Sequence, residues 1–239
     1  IEAAAILLCL PVSIIYSEPA GPFVISAGIC SLPGGLLWFL TRKADTSQIT
    51  HRDTYLIVTS AWLMISLAGA LPYLIGKTIP SFVDALFEAT SGLSTTGSSI
   101  LTDVEALPRS ILFWRSMTHW IGGIGIIVLV ILVLPSLKVT GYQLFSLESS
   151  MKEKIHPRAK GVVNRIMLIY LGITLLETFF LLLGGMDLFD SLCHSFGTVA
   201  TGGFSTRNSS LAGFSPYLQY VVAIFMILSA TSYVVYYHL

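Results

Sequence analysis

The chain contains one stretch that occurs twice with the same pattern. Residues 82–99 are FVDALFEATSGLSTTGSS, and residues 188–205 are LFDSLCHSFGTVATGGFS. The spacing is constant, because Asp190 follows Asp84 by 106 positions and the closing Thr and Gly residues keep the same offset. An internal repeat of fixed period indicates one structural unit used more than once. The fold must therefore accommodate two similar units in one chain.

Each copy opens with an acidic residue, closes with small Thr, Ser and Gly residues, and lies between two longer apolar runs. It is shorter than the roughly 20 residues that cross a bilayer, so we expect a half-length helix that enters the membrane and returns. Non-helical backbone at membrane depth is tolerated where protein buries it or where it lines a water-filled cavity. A Thr-Thr-Gly or Thr-Gly-Gly turn there can direct carbonyls at a cation, because Gly reaches positive φ without steric cost.

The alternative interpretation of these turns is a surface loop between membrane helices. A single copy fits either interpretation. Two copies in register, each after a half-length apolar segment, favour pore loops, because ordinary turns need no such repetition.

The composition is that of an integral membrane protein, with 54% hydrophobic and 11% charged residues and a mean hydropathy of +0.79. The formal net charge of zero argues against a nucleic-acid partner. The three cysteines form no CxxC pair, so neither a disulfide framework nor a zinc site is predicted.

Six segments are long and apolar enough to be predicted as membrane spans. The first lacks the basic start of a signal peptide, so we interpret it as a truncated membrane helix. The chain begins at Ile1 and stops inside an apolar run, which we interpret as a fragment. The predicted spans are 3–17, 22–40, 54–75, 109–135, 163–184 and 216–238.

Nine of the thirteen Lys and Arg residues lie in segments 41–53 and 137–165, which the positive-inside rule places in the cytosol. Both pore loops then lie on the outer face, and the two units form a parallel repeat. The predicted organisation is a leader with two transmembrane helices (1–53), a first span/pore-loop/span repeat (54–136), a cytosolic basic loop (137–162) and a second repeat (163–239).

Ionisable residues inside predicted spans are candidates for function. Glu88 and His194 occupy equivalent repeat positions, and we expect both to hold the turns in place rather than to coordinate ions. Arg115 and His119 lie one helical turn apart and are expected to pair with a carboxylate or a carbonyl near the outer mouth. Glu177 also lies inside a span, without a role that the sequence assigns.

Two further motifs have ordinary explanations. Gly122-Gly123-Ile124-Gly125 lies inside a span with no preceding strand, so close helix packing is predicted rather than nucleotide binding. Asn208-Ser209-Ser210 matches a glycosylation sequon on the predicted outer side, but three-residue matches are common.

The stretches 84–99, 111–135 and 194–206 resemble the Trk/Ktr/HKT superfamily of cation transporters, and most closely the N-terminal half of TrkH-type potassium uptake subunits. The resemblance implies an all-α, potassium-channel-like membrane protein with four span–loop–span units around one pore, of which this chain supplies two. It also implies homodimers in the bacterial inner membrane, gated by a cytosolic nucleotide-binding ring. The potassium-coordinating residues implied by the resemblance are Thr95, Thr96, Gly97, Thr201, Gly202 and Gly203.

The leading hypothesis is thus potassium transport without covalent chemistry, so the chain is not expected to be an enzyme. A sodium-permeable relative is the alternative within transport, although the superfamily associates sodium permeation with Ser at the position of Gly97. An intramembrane hydrolase would need His194 and Ser195 as base and nucleophile, and no hydrolase motif accompanies them. A non-conducting membrane assembly protein is the remaining alternative.

Overall fold

The computed structural model describes residues 2–43, 50–133 and 155–231, together with Tyr236. Within these residues the chain forms helices and no strand. Residues 137–154 of the predicted basic loop lie outside the described part. The helices are α1 (Glu2–Leu7), α2 (Leu10–Ile15), α3 (Gly21–Thr41), α4 (His51–Ile75), α5 (Phe82–Leu93), α6 (Arg109–Val133), α7 (Ile155–Leu183), α8 (Leu188–Val199) and α9 (Pro216–Ala230).

Three helical stretches in the described residues are long and apolar enough to cross a bilayer: Gly21–Thr41, Tyr55–Ile75 and Val163–Leu183. They confirm the spans predicted at these places. Large apolar side chains such as Leu32, Leu63 and Leu183 are exposed along them, which is the surface that a membrane protein turns to lipid. Helix α7 itself begins earlier than the predicted span, at Ile155.

The prediction of one span over residues 3–17 was wrong in detail, because α1 and α2 are separate short helices. Pro11 lies in the first turn of α2, and its ring nitrogen cannot donate a hydrogen bond to the carbonyl of Leu7. The N–H groups of Leu8 and Cys9 instead close a tight turn onto carbonyls of α1. Proline at this point therefore divides an otherwise continuous apolar run.

Helix α9 confirms the start of the last predicted span, 216–238, whereas residues 232–235, 237 and 238 of that span lie outside the described part. In the described residues α9 ends at Ala230, and Thr231 is extended, with φ −72° and ψ 138°. The Thr231 hydroxyl donates to the carbonyl of Ile227 at 3.0 Å. A Thr side chain that bonds locally to backbone competes with continuation of a helix, which accounts for the end of α9 at Ala230.

Helix α6 occupies the centre of the bundle, because it packs against both half-length helices, α5 and α8. A Cβ atom at Gly122 would overlap the carbonyl of Leu93 at the end of α5, and one at Gly123 would lie 3.1 Å from Ala200. Small residues let membrane helices approach this closely. The contacts confirm that Gly122 and Gly123 of this motif serve helix packing.

The indole of Trp114 fixes α6 to a second neighbour. Trp114 is fully buried, and its Nε1–H donates to the carbonyl of Gly69 on α4 at 3.0 Å. Helix α4 in turn packs against α5. Helices α4, α5 and α6 therefore form one packed unit, while α7, α8 and α9 form the other and meet it where α6 packs against α8 and α7.

We predict that Gly122→Ala destabilises the protein, because the added methyl group has no space beside the Leu93 carbonyl. Overpacking of this kind costs about 1–3 kcal/mol. The matched control is Gly125→Ala on the same helix, where the nearest atom to a new Cβ belongs to Trp62 at 4.0 Å. Thermal unfolding in detergent should show a lower midpoint for Gly122→Ala alone, and equal midpoints for the two variants would contradict this packing.

Candidate cation-binding site

The two half-length helices begin in the same way. The Oγ of Ser81 accepts a hydrogen bond from the N–H of Asp84 before α5, and Oδ1 of Asp187 accepts one from the N–H of Asp190 before α8. Side-chain oxygens at this position satisfy a backbone donor that the first helical turn leaves free. Asp187 lies 106 positions after Ser81, so the sequence offset also describes the helix starts.

The two helices also end in the same way. After α5 the N–H of Thr96 donates to the carbonyl of Ser91 at 3.0 Å, and after α8 the N–H of Gly202 donates to the carbonyl of Gly197 at 2.8 Å. These bonds span five residues rather than four, which closes a helix end in a tight turn. We call residues 95–97 the first loop segment and residues 201–203 the second loop segment.

Both loop segments pass through left-handed backbone conformations at matching positions. The φ angles are 55° at Thr95 and 56° at Thr201, followed by 78° at Gly97 and 95° at Gly203. The positive φ values of the two glycines confirm the expectation from sequence. A β-branched residue such as Thr rarely adopts positive φ, and strain of this kind concentrates at functional sites.

The carbonyl groups of both loop segments accept no hydrogen bond from the part of the chain that the structure describes. Among the described residues, no backbone or side-chain donor reaches the carbonyl oxygens of residues 95–97 or 201–203. The neighbouring carbonyls of Ser98 and Ser205 do accept hydrogen bonds, from Ser91 and Arg115. These six carbonyl oxygens belong to the residues that the sequence predicts as coordinating, and none of them accepts a hydrogen bond from the described residues.

The two loop segments touch one another. A Cβ atom at Gly97 would overlap the carbonyl oxygen of Gly202, so only glycine fits at position 97. Thr96, Thr201 and Gly203 are exposed in the described structure. The two predicted loop segments thus meet at Gly97 and Gly202.

Glu88 and His194 brace the chain just beyond the two loop segments. Glu88 on α5 accepts hydrogen bonds from the Ser99 hydroxyl and the Ile100 N–H, each at 3.0 Å. His194 on α8 pairs through Nε2 with the Ser205 hydroxyl, also at 3.0 Å. Ser205 lies 106 positions after Ser99. Sequence reasoning overlooked both serines, although each is the last residue of its repeated stretch.

Arg115 on α6 contacts both units. Its Nε–H donates to Glu88 at 2.6 Å, its Nη1 donates to the carbonyl of Ser205 at 2.9 Å, and its guanidinium lies 3.5 Å from the centre of the Phe204 ring. Both charged groups are buried. The predicted pairing of Arg115 with a carboxylate or a carbonyl is confirmed, with one partner of each kind.

His119 has different partners from those predicted. Its ring stacks on Phe204 at 4.0 Å, and its Nδ1 accepts a hydrogen bond from the Phe204 N–H at 3.4 Å. The contact is to an amide N–H rather than to a carboxylate or a carbonyl. A Cβ atom at Gly202 would collide with the His119 imidazole, so this ring lies directly behind the second loop segment.

The loops that follow the two segments are joined by Asn208. Its Oδ1 accepts from the N–H of Val104 at 2.7 Å, and its Nδ2 donates to Asp103 at 2.8 Å. Next to it, Arg207 forms an ion pair with Asp190 at 2.6 Å. The hydrogen bond and charge of Asp190 raise the pKa of Arg207. The Asn208 side chain thus acts as a connector, a role that the sequon match did not predict.

His194 and Ser195 are not arranged as a base and a nucleophile. The two ring nitrogens of His194 pair with the carbonyl of Asp190 and the hydroxyl of Ser205. The Ser195 hydroxyl donates to the carbonyl of Ser191 at 2.7 Å. A hydrolase requires its nucleophile and base within hydrogen-bond reach of one another. The His194 and Ser195 side chains instead form hydrogen bonds with other groups on and near α8.

The long apolar helices among the described residues, with large apolar side chains exposed along them, define an integral membrane protein with several spans. This confirms the predicted membrane location. A family model described as a cation transport protein, TrkH, matches residues 21–239. The chain belongs to the TrkH family of cation transport proteins, which confirms the resemblance drawn from its motifs.

The chain is 38% identical over 228 residues to the Trk system potassium uptake protein TrkH of Escherichia coli (strain K12), covering 93% of this chain and 47% of that protein. It is 37% identical over 238 residues to TrkI, a Trk system potassium uptake protein of Halomonas elongata, covering 97% and 48%. The crystal structure of the potassium transporter TrkH from Vibrio parahaemolyticus matches with a TM-score of 0.87 at 33% identity, over 98% of this chain and 48% of that one. The chain spans about half the length of these relatives.

We predict that Gly97→Ala destabilises the protein more than Gly203→Ala. Both changes place a side chain at positive φ, which costs roughly 1–2 kcal/mol. Only the Gly97 substituent also overlaps a neighbouring atom, the Gly202 carbonyl oxygen, because the space around a Cβ at Gly203 is open. Thermal unfolding in detergent would measure the difference, and equal losses would show that the loop segments are not in contact.

Proposed function

We propose that this chain contributes two loop segments to a potassium-selective pathway across the membrane. The observation that carries the proposal is that the carbonyl oxygens of residues 95–97 and 201–203 accept no hydrogen bond from the described residues. Rings of backbone carbonyls replace the hydration shell of potassium in selective channels. The TrkH and TrkI relatives named above are potassium uptake proteins, and their function supports potassium as the transported ion.

In this proposal the coordinating residues are Thr95, Thr96, Gly97, Thr201, Gly202 and Gly203, which act through backbone oxygens rather than side chains. Helices α5 and α8 end at Leu93 and Val199, immediately before the loop segments. A helix C-terminus carries a partial negative charge equivalent to about half an elementary charge. If both helix ends point at the same site, their partial negative charges favour a cation at that site. A full carboxylate charge would instead bind the cation too tightly for transport.

The proposed architecture follows the sequence organisation. Residues 1–53 form a leader, 54–136 and 163–239 form parallel span–loop–span units with their loop segments on the outer face, and 137–162 form a cytosolic basic loop. A ring around a dehydrated potassium ion needs carbonyls from all sides, and two loop segments line only half of it. We propose that two further units complete the ring in the bacterial inner membrane, in a homodimer regulated by a cytosolic nucleotide-binding ring.

We predict that Gly97→Ser lowers the preference for potassium over sodium by about tenfold, equivalent to about 1.4 kcal/mol. The Ser side chain would displace the Gly202 carbonyl from its place beside Gly97. Uptake of rubidium and sodium tracers by cells that express the full-length protein would measure the ratio.

The control is Gly125→Ser, which lies on α6 with open space around its Cβ and should keep the ratio of the unmodified protein. An unchanged ratio in Gly97→Ser, at normal expression, would refute the role of the loop segments in selectivity. If no substitution in either loop segment changed the uptake of rubidium or sodium, a non-conducting assembly protein would be favoured.

A further inference from the structure

We propose that Arg115 is a positioning residue that couples the two loop segments, so that ion selectivity depends on it although it supplies no coordinating oxygen. This inference rests on the proposed function, because it assigns Arg115 a role in the same site. Sequence analysis placed Arg115 near the outer mouth and predicted a pairing partner. The contacts of its guanidinium group show that it has partners in both units at once.

The first connection runs through Glu88 to the chain beyond the first loop segment. The Arg115 Nε–H donates to Oε1 of Glu88 at 2.6 Å. The same carboxylate accepts from the Ser99 hydroxyl and, through Oε2, from the Ile100 N–H. Ser99 lies two residues after Gly97, so the position of the Glu88 carboxylate determines where the first loop segment ends.

The second connection reaches the chain beyond the second loop segment directly. Nη1 of Arg115 donates to the carbonyl of Ser205 at 2.9 Å, and the guanidinium plane covers the ring of Phe204. Phe204 immediately follows Gly203. The flat guanidinium carries several donors in a fixed geometry, so one rigid group sets the distance between the two connections.

The second unit contains no equivalent of this pair. The positions 106 residues after Arg115 and Glu88 are Val221 and His194. His194 binds Ser205 and a carbonyl of its own helix, and it forms no ion pair with any residue that the structure describes. Only the first unit therefore supplies the connecting side chain, from α6, and the repeat pattern alone did not predict it.

Burial gives this coupling its strength. Arg115 is 3% exposed and Glu88 is 0% exposed, so water cannot substitute for either partner. Charge-assisted hydrogen bonds are about twice as strong as neutral ones, and they are directional. A displacement of the Arg115 guanidinium would therefore shift the chain on both sides of the contact between Gly97 and Gly202.

The test compares Arg115→Lys with Arg109→Lys in the full-length protein. Lysine keeps the charge but concentrates it at one point, so it cannot hold Glu88 and the Ser205 carbonyl in the same geometry. We expect the ratio of rubidium to sodium uptake to fall about fivefold or more in Arg115→Lys, the lower end of typical coupling effects. Arg109 lies on the same helix and binds Tyr16 instead, so Arg109→Lys should keep the original ratio.

Two further variants separate positioning from general stability. A merely structural role would lower the uptake of both ions together and leave their ratio unchanged. If the Arg115–Glu88 pair acts as a unit, Glu88→Gln should lower the rubidium-to-sodium uptake ratio as Arg115→Lys does. The double variant should then lower it little more than either single change. Additive losses would overturn the coupling. If Arg115→Lys does not fold, the neutral pair Glu88→Gln with Arg115→Gln decides, and a normal ratio in it would overturn the proposal.

The outcome also distinguishes this inference from the proposed function. A normal ratio in Arg115→Lys together with a reduced ratio in Gly97→Ser would refute the coupling and leave the loop segments as the selectivity site. Normal ratios in both variants would refute the site and the coupling together. A reduced ratio in both variants, with normal ratios in their controls, supports both proposals.

Discussion

Hydrocarbon offers no hydrogen bonds to a polypeptide, so each backbone group at membrane depth needs a partner in the protein, in water or in a bound ion. Among the described residues, the two loop segments leave such groups free. Residues 95–97 and 201–203 turn through left-handed conformations, and within the described residues their carbonyls accept no hydrogen bond. Strained backbone of this kind persists only where its surroundings over-determine it, and the remaining helices supply those surroundings.

Helix α6 makes several of the contacts that hold the two loop segments in place. Gly122 lets it approach the end of α5 to backbone contact, Arg115 holds the chain after both loop segments, and His119 stacks behind the second. Glu88 on α5 and His194 on α8 each hold the chain beyond a loop segment by hydrogen bonds to a serine hydroxyl. They do so with different groups, a carboxylate and an imidazole. Such differences between equivalent positions are expected of units that occupy separate places in one assembly rather than of interchangeable copies.

The sequence predicted the features that depend on local pattern. The repeat located both half-length helices, apolar length located the spans, and paired glycines predicted positive φ at Gly97 and Gly203. It failed where one residue acts through hydrogen bonding rather than hydropathy, as Pro11 does in dividing the first span. It could not name the Ser205 carbonyl as a partner of Arg115, because no periodic pattern specifies which groups meet across 90 positions.

The central claim is that the free carbonyls of the two loop segments bind a dehydrated monovalent cation. Anomalous scattering from crystals of the full-length protein grown with rubidium or thallium ions tests it most directly. The account predicts an anomalous peak in contact with carbonyl oxygens from both segments, including those of Gly97 and Gly203, and a weaker peak in Gly97→Ser. Crystals in which the ion binds elsewhere, while these carbonyls are hydrogen-bonded to protein, would contradict it.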